Sequence, residues 1–186
     1  MWRPFATLGA MSTDLRLVVP GVRLSAAFLR SAQDHVEHGA DPERSREYAR
    51  ALDDFPAYLA QLRLFASRDA PGPGLVRQRS YWLTDGHDVL GHLRLRPALN
   101  ARLERLGGHV GYDVPPSQRG KGHATRMLAL GVREASKAGL PRVLVTTDAR
   151  NAASIKVIER NGGRLDEEYE FEGIVRRRYW IRTPRG

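Results

Sequence analysis

The sixteen residues Tyr112-Asp-Val-Pro-Pro-Ser-Gln-Arg-Gly-Lys-Gly-His-Ala-Thr-Arg-Met127 constrain the fold more than any other stretch. The apolar run 109–114 has the length of a strand, and Pro115-Pro116 ends it because proline offers no ladder donor. Two glycines between basic residues follow. From Ala124 onward Met127, Leu128, Gly131, Ala135 and Ala138 recur at three- and four-residue steps, with Arg126, Arg133, Glu134 and Lys137 falling elsewhere. That spacing predicts a helix. Strand, glycine turn and helix aim several unpaired amide N–H groups at one point. Gly120 and Gly122 let the backbone come close to a ligand, and Arg119 and Lys121 add positive charge. Such a turn suits a pyrophosphate.

Two common phosphate loops do not fit. The dinucleotide fingerprint needs three glycines and an acidic residue about 20 positions on, and nothing here supplies the first glycine. The P-loop needs Ser or Thr after Gly-Lys, whereas Gly122 follows Lys121. Arg119-x-x-Gly122-x-Ala124 resembles instead the Arg/Gln-x-x-Gly-x-Gly/Ala coenzyme-A motif of the GNAT superfamily of N-acetyltransferases. Downstream, Gly139 and Pro141 stop the helix, and 143–147 reads as a buried, β-branched strand. Asn151 is placed to cap a helix over 152–160, with Asn161-Gly162-Gly163 as its exit. Asn151, Ser154 and Gly162 match the GNAT order of asparagine, small residue three positions later, helix and glycine turn. The likeness covers 109–163, and the hydrophobic rhythm extends it back to about residue 79.

The resemblance implies an α/β fold: a single GNAT-like domain with a mixed central sheet, a splayed parallel strand pair, and flanking helices. It implies acetyl-CoA as cosubstrate, no metal, and direct attack of a primary amine on the thioester. Backbone groups of Tyr112 and Val114 would hold the acetyl and pantetheine amides. Arg119, Gly120, Lys121, Gly122, His123 and Ala124 would surround the pyrophosphate, and Asn151 and Ser154 would lie along the pantetheine. For the base, His109 and Asp113 are the candidates. They share a face of a regular strand, although the bulge common in these enzymes would flip that parity. Each also has a structural reading, His109 as a hydrogen-bonder beside Gly107-Gly108 and Asp113 as a cap of the turn. One position departs from the family. Many members carry a tyrosine seven residues beyond the asparagine, where it protonates the leaving thiolate; here that residue is Ile158. Ser154, Tyr169, Tyr179 or water would then serve, or the thiolate would leave unassisted. The departure also motivates an alternative, a coenzyme-A-binding module without turnover.

A chain of 186 residues suits one domain, expected over 13–186 with a loosely ordered extension at 1–12. No apolar run reaches the roughly 18–20 residues of a membrane span. The first ten residues make a poor secretion signal, so the expected location is cytoplasmic. Zero cysteines exclude disulfides, Cys–Zn sites and a cysteine nucleophile. Thirty basic against 21 acidic residues give a net charge of +9, which favours anionic partners and motivates a third reading, nucleic-acid binding. Its other support is Arg176-Arg177-Arg178, but strand alternation divides these between two faces. Aromatic and basic residues interleave only at Arg178-Tyr179-Trp180.

Before the motif, a strand is predicted at 15–19 and a helix carries Leu24, Phe28, Ala32 and Val36 on one face. A second helix surrounds Tyr48, Ala51 and Leu52, and a third, capped at Asp54, carries Tyr58, Leu59, Leu62 and Phe65. Residues 70–74 form a loop. Strands at 80–84 and 89–96 are joined by a tight turn at Asp85-Gly86, and a short helix crosses within 97–106. Arg94 and Arg96 read as solvated strand residues, or as a grip on an acidic acceptor. A terminal hairpin, 164–171 and 174–181, turns at Glu172-Gly173. By the resemblance, the first helices and this hairpin border the acceptor, a small-molecule or protein amine. Strand 174–181 offers an edge that a homodimer would share.

Overall fold

Burial along residues 79–95 sets the architecture. In the computed structural model, which describes residues 14–67, 72 and 74–184, β2 (Arg79–Thr84) and β3 (Val89–Leu95) lie between two apolar layers. Neighbouring strand residues point to opposite faces. Tyr81 and Leu83 therefore enter one core while Trp82 enters the other. β1 (Arg16–Val18) and β4 (Val110–Asp113) complete an antiparallel sheet in the order β1-β2-β3-β4. A second antiparallel sheet has the order β5-β7-β6, from β5 (Arg142–Asp148), β6 (Arg164–Phe171) and β7 (Ile174–Arg182).

Helices α1 (Ser25–His38), α2 (Pro42–Asp53) and α3 (Phe55–Ala66) cover one face of the first sheet. Phe28 stacks on Trp82 with ring centroids 4.6 Å apart and on Tyr58 at 5.1 Å. Asp41 and Asp54 cap α2 and α3, each with proline in the first turn. The short α4 (Ala101–Arg105) is capped by Asn100 and crosses toward β4. On the other face lies α5 (His123–Lys137), whose Met127, Leu128, Val132 and Ala135 meet Leu93 and Leu95. The last helix, α6 (Ala152–Arg160), adds Ile158 to the same core, which β5 and β7 extend through Val143, Val145, Tyr179 and Ile181. Among the described residues no helix is long and apolar enough to cross a membrane.

The α/β class and the element order follow the sequence reading, but three details differ. Ladder pairing is antiparallel in both sheets rather than mixed in one. Asp85-Gly86 is half of a four-residue loop, in which Asp85 Oδ1 accepts from the amides of His87 and Asp88, after a register shift at Leu83/Thr84. And β7 is no edge: β5 pairs with one side of it and β6 with the other. The edge strands of that sheet are β5 and β6, so a dimer shared through 174–181 has no free edge to use. The predicted extension at 1–12 lies outside the described residues.

Candidate functional site

The site begins where β4 and β5 touch. The His109 amide donates to the Leu144 carbonyl at 2.8 Å, and the Leu144 amide donates back to His109 Nδ1 at 3.0 Å. One residue thus satisfies both backbone groups of its partner, its ring standing in for a ladder carbonyl. Gly108 makes the approach feasible, since a Cβ there would lie 2.3 Å from the Leu144 carbonyl oxygen. Beyond this point, among the described residues, β4 pairs only with β3, which leaves its other edge open there. The β3–β4 register runs without a break from Leu95↔Val110 to His92↔Asp113, so the anticipated bulge is absent from this pairing.

Past Pro116 the chain turns through Gly120 and Gly122, both left-handed at φ 77° and 82°. Gly122 holds the N-cap position of α5 and contributes no capping side chain. The first intrahelical bond runs from the Arg126 amide to the Gly122 carbonyl. No acceptor among the described residues takes the amides of residues 120–125. A helix start of this kind binds anions. Arg119 and Lys121 are exposed around it, Arg119 Nε reaching the Val114 carbonyl at 3.2 Å and Lys121 the Gln118 side chain at 3.0 Å. His123 is buried, its Nδ1 has no hydrogen-bond partner among the described residues, and burial with the Lys121 charge lowers its pKa. Ala124 follows it in the first turn.

Asn151 caps α6 by accepting from the Ser154 amide at 3.0 Å. Ser154 Oγ lies 2.9 Å from the hydroxyl of Tyr112, which has crossed from β4. Burial raises the Tyr112 phenol to about 12, outweighing the opposite effect of the Ser154 bond. Ile158 is fully buried and belongs to the core. Tyr169 donates to the Arg105 carbonyl at 2.5 Å, and Tyr179 is a core residue. Of the side chains considered in place of the missing tyrosine, Ser154 is the one that hydrogen-bonds a β4 residue among the described residues.

The other face of β4 holds a buried polar network that the sequence did not disclose. Asp113 Oδ1 accepts from Arg94 at 2.8 Å, and its Oδ2 accepts from the Tyr48 hydroxyl at 2.7 Å. His35 Nε2 and His92 Nδ1 stand 3.2 and 3.4 Å from the same Oδ2. Tyr48 also bonds His92 Nδ1, while Ser31 Oγ meets His92 Nε2 at 3.1 Å. With the phenolic proton given to Asp113, His92 carries its proton on Nδ1 and accepts from Ser31. Arg94 continues to Glu47 at 2.9 and 3.0 Å, and Arg44 reaches Glu47 at 2.7 Å. Burial alone would raise the Asp113 pKa, but the Arg94 charge and the neighbouring imidazoles of His35 and His92 bring it well below the usual carboxylate range. Glu47 is likewise lowered, burial being outweighed by Arg94 and Arg44.

Arg94 is therefore not solvated, and Arg96 is half-buried. Arg94 is the buried counter-ion of two carboxylates. Arg96 donates to the Gly108 carbonyl at 3.1 Å and is lowered to about 10 by burial and by Arg94 and Arg44. His109 and Asp113, though on one face by parity, occupy different surroundings. Trp180 lies 6.1 Å from the His109 ring, whose Nδ1 lone pair is committed to Leu144.

Burial lowers both His92 and His109, the latter also through the charge of Arg142. Each imidazole protonates more readily in the unfolded chain, so its contribution to stability is whole above the ordinary value of 6.5 and lost as pH falls below it. Asp113 and Glu47, with depressed values, extend that loss into the carboxylate range. Urea midpoints should fall steadily from about pH 7 to about pH 5. A flat profile would contradict the buried neutral imidazoles.

The acetyltransferase (GNAT) domain family matches residues 24–164. The chain belongs to the GNAT acetyltransferase family. Among solved structures it is similar to Mycobacterium smegmatis RimJ in complex with CoA-disulfide, at 21% identity and TM-score 0.68, covering 92% of this chain and 83% of that one. It is also similar to the ribosomal-protein-S5-alanine acetyltransferase of Vibrio fischeri, at 17% identity and TM-score 0.70, covering 91% and 93%. A third is yncA of Salmonella typhimurium, a putative acetyltransferase with its cofactor acetyl-CoA, at 16% identity and TM-score 0.59, covering 91% and 94%. No curated protein matches the sequence.

Proposed function

We propose that the chain is an acetyl-CoA-dependent N-acetyltransferase that acts on a primary amine by direct attack on the thioester. The observation that carries this reading is the start of α5, where the amides of residues 120–125 have no acceptor among the described residues and Arg119, Lys121 and His123 lie beside them. Main-chain donors at a helix start, with basic side chains around them, suit a pyrophosphate. In this reading the open edge of β4 at Tyr112 and Val114 takes the pantetheine amides as an added strand would, and Asn151 and Ser154 line the far wall.

The amine arrives from the α1–α2 face. Asp113, held ionised by Arg94, serves there as fixed negative charge under an incoming ammonium rather than as the proton acceptor. His109 serves as the pin of the strand junction. The pH dependence of kcat/KM then follows the acceptor's own amine, near 10 for a lysine-like group. It shows no limb that His109→Gln removes, and such a limb would restore His109 as base. Ser154 is the hydroxyl available to the departing sulfur.

The nucleic-acid reading loses its local support. Arg177 pairs with Glu168 at 2.8 Å, and Arg178 with Asp166 at 2.8 Å and Glu167 at 2.9 Å, so these two arginines of the cluster are balanced across the hairpin. Similar structures include a ribosomal-protein-S5-alanine acetyltransferase and a spermidine N-acetyltransferase, which suggests a panel of peptides with N-terminal alanine, and polyamines. Calorimetry with acetyl-CoA, followed by acetylation of that panel, tests the reading. Absence of coenzyme binding would refute it.

A further inference from the structure

Ile158 leaves α6 without a hydroxyl at the position where many relatives have one, yet a hydroxyl from another element comes to the same helix. Tyr112 is on β4 and Ser154 on the first turn of α6, 42 residues apart in sequence, and their oxygens are 2.9 Å apart. The phenol also lies 3.5 Å from the Ser154 carbonyl, so it stands over the first turn. We propose that Tyr112 is a positioning residue that orients and polarises the Ser154 hydroxyl, so that Ser154 donates a hydrogen bond to the departing coenzyme-A thiolate. The inference rests on the acetyltransferase reading above and adds a residue to it.

Direction follows from chemistry. Either oxygen is able to donate in this contact. A phenol raised to about 12 by burial keeps its proton throughout the range in which an amine acceptor works. With the phenolic proton directed at Ser154 Oγ, the serine's own proton is free to point elsewhere. The Ser154 amide is meanwhile fixed by Asn151, which holds the serine at the helix start. When the C–S bond breaks, its electron pair goes to sulfur, and the serine hydrogen bond stabilises that charge. The new N–C bond forms from the amine lone pair. The proton given up by the amine reaches sulfur through solvent, so no further reactant is needed. Tyr112 keeps its proton, because a phenol near 12 is a weaker acid than a thiol near about 8.5.

The test reads the bound thiol itself. Coenzyme A is titrated in its complex with the wild type, Tyr112→Phe, Ser154→Ala and the double variant, following the ultraviolet absorbance of the thiolate against the free proteins. A hydrogen bond to the charged form favours that form, so the wild-type complex should ionise about one pH unit below free coenzyme A. Each single variant should lose most of that shift, and the double variant no more than either single one. Coenzyme affinity measured where the thiol is protonated should change less than about threefold, and kcat should fall about tenfold with KM unchanged. Retention of the wild-type titration by Tyr112→Phe, or an additive double variant, would overturn the assignment. If coenzyme A does not bind the wild type at all, the parent reading falls. If it binds and the Tyr112→Phe titration is unaltered, only this inference does.

Discussion

Gly122→Glu should abolish coenzyme binding while leaving the chain folded. Gly122 sits at φ 82°, and a Cβ built there meets nothing within 4 Å, so a side chain has room. Left-handed backbone costs an ordinary residue about 1–2 kcal/mol, which the fold should survive. The carboxylate, however, is placed among the amides assigned to the pyrophosphate, where it repels a phosphate and competes for its donors. A loss of at least about 100-fold, roughly 2.7 kcal/mol, is expected. Gly122→Ala is the control, because it carries the same strain without the charge. Calorimetry beside a thermal melt checks both. If Gly122→Glu binds like Gly122→Ala, the anion site lies elsewhere. Arg119→Ala should be milder than Gly122→Glu, since backbone donors remain.

Asp113→Ala should be among the most destabilising single changes in the chain. Arg94 is 5% exposed, and removing Asp113 leaves its guanidinium buried with Glu47 as its remaining carboxylate partner. Breaking a buried pair from one side costs about 3–5 kcal/mol. Tyr48 loses its acceptor and His92 a charged neighbour in the same step. The cost should exceed that of the paired change Asp113→Leu with Arg94→Met, because removing both charges leaves none unmatched. Denaturant unfolding of the three proteins decides. A loss of under about 1 kcal/mol for Asp113→Ala would mean that the pair behaves as a solvated surface bridge.

What the sequence discloses follows the range of the interaction. The glycine turn, the Asn151 cap, the helices after Asp41 and Asp54 and the turn at Glu172-Gly173 depend on neighbours, and all are legible. The motif residues 119–124 and 151–154 are legible for the same reason. Strand order in the second sheet is not local, so 174–181 looked like an edge although it is the middle strand. Arg94-Leu-Arg96 shows that two arginines share a face but not what covers that face. The cover comes from Glu47 and Tyr48, on a helix more than forty residues earlier in the chain. The period of β4 correctly put His109 and Asp113 on one side. It had no means of showing that His109 ends against Leu144 and Asp113 against Tyr48. Tyr112 and Ser154 meet only because β4 and α6 are brought together by the core between them.

Amine-dependent release of thiol from acetyl-CoA, with the N-acetylated product identified by mass spectrometry, tests the central claim most directly. The account predicts thiol and acetylated amine in equal amounts, a rate that rises with pH as the acceptor loses its proton, and loss of both products in Gly122→Glu. Coenzyme binding without amine-dependent thiol release from any peptide or polyamine acceptor would contradict it, and would make the chain a coenzyme-binding module.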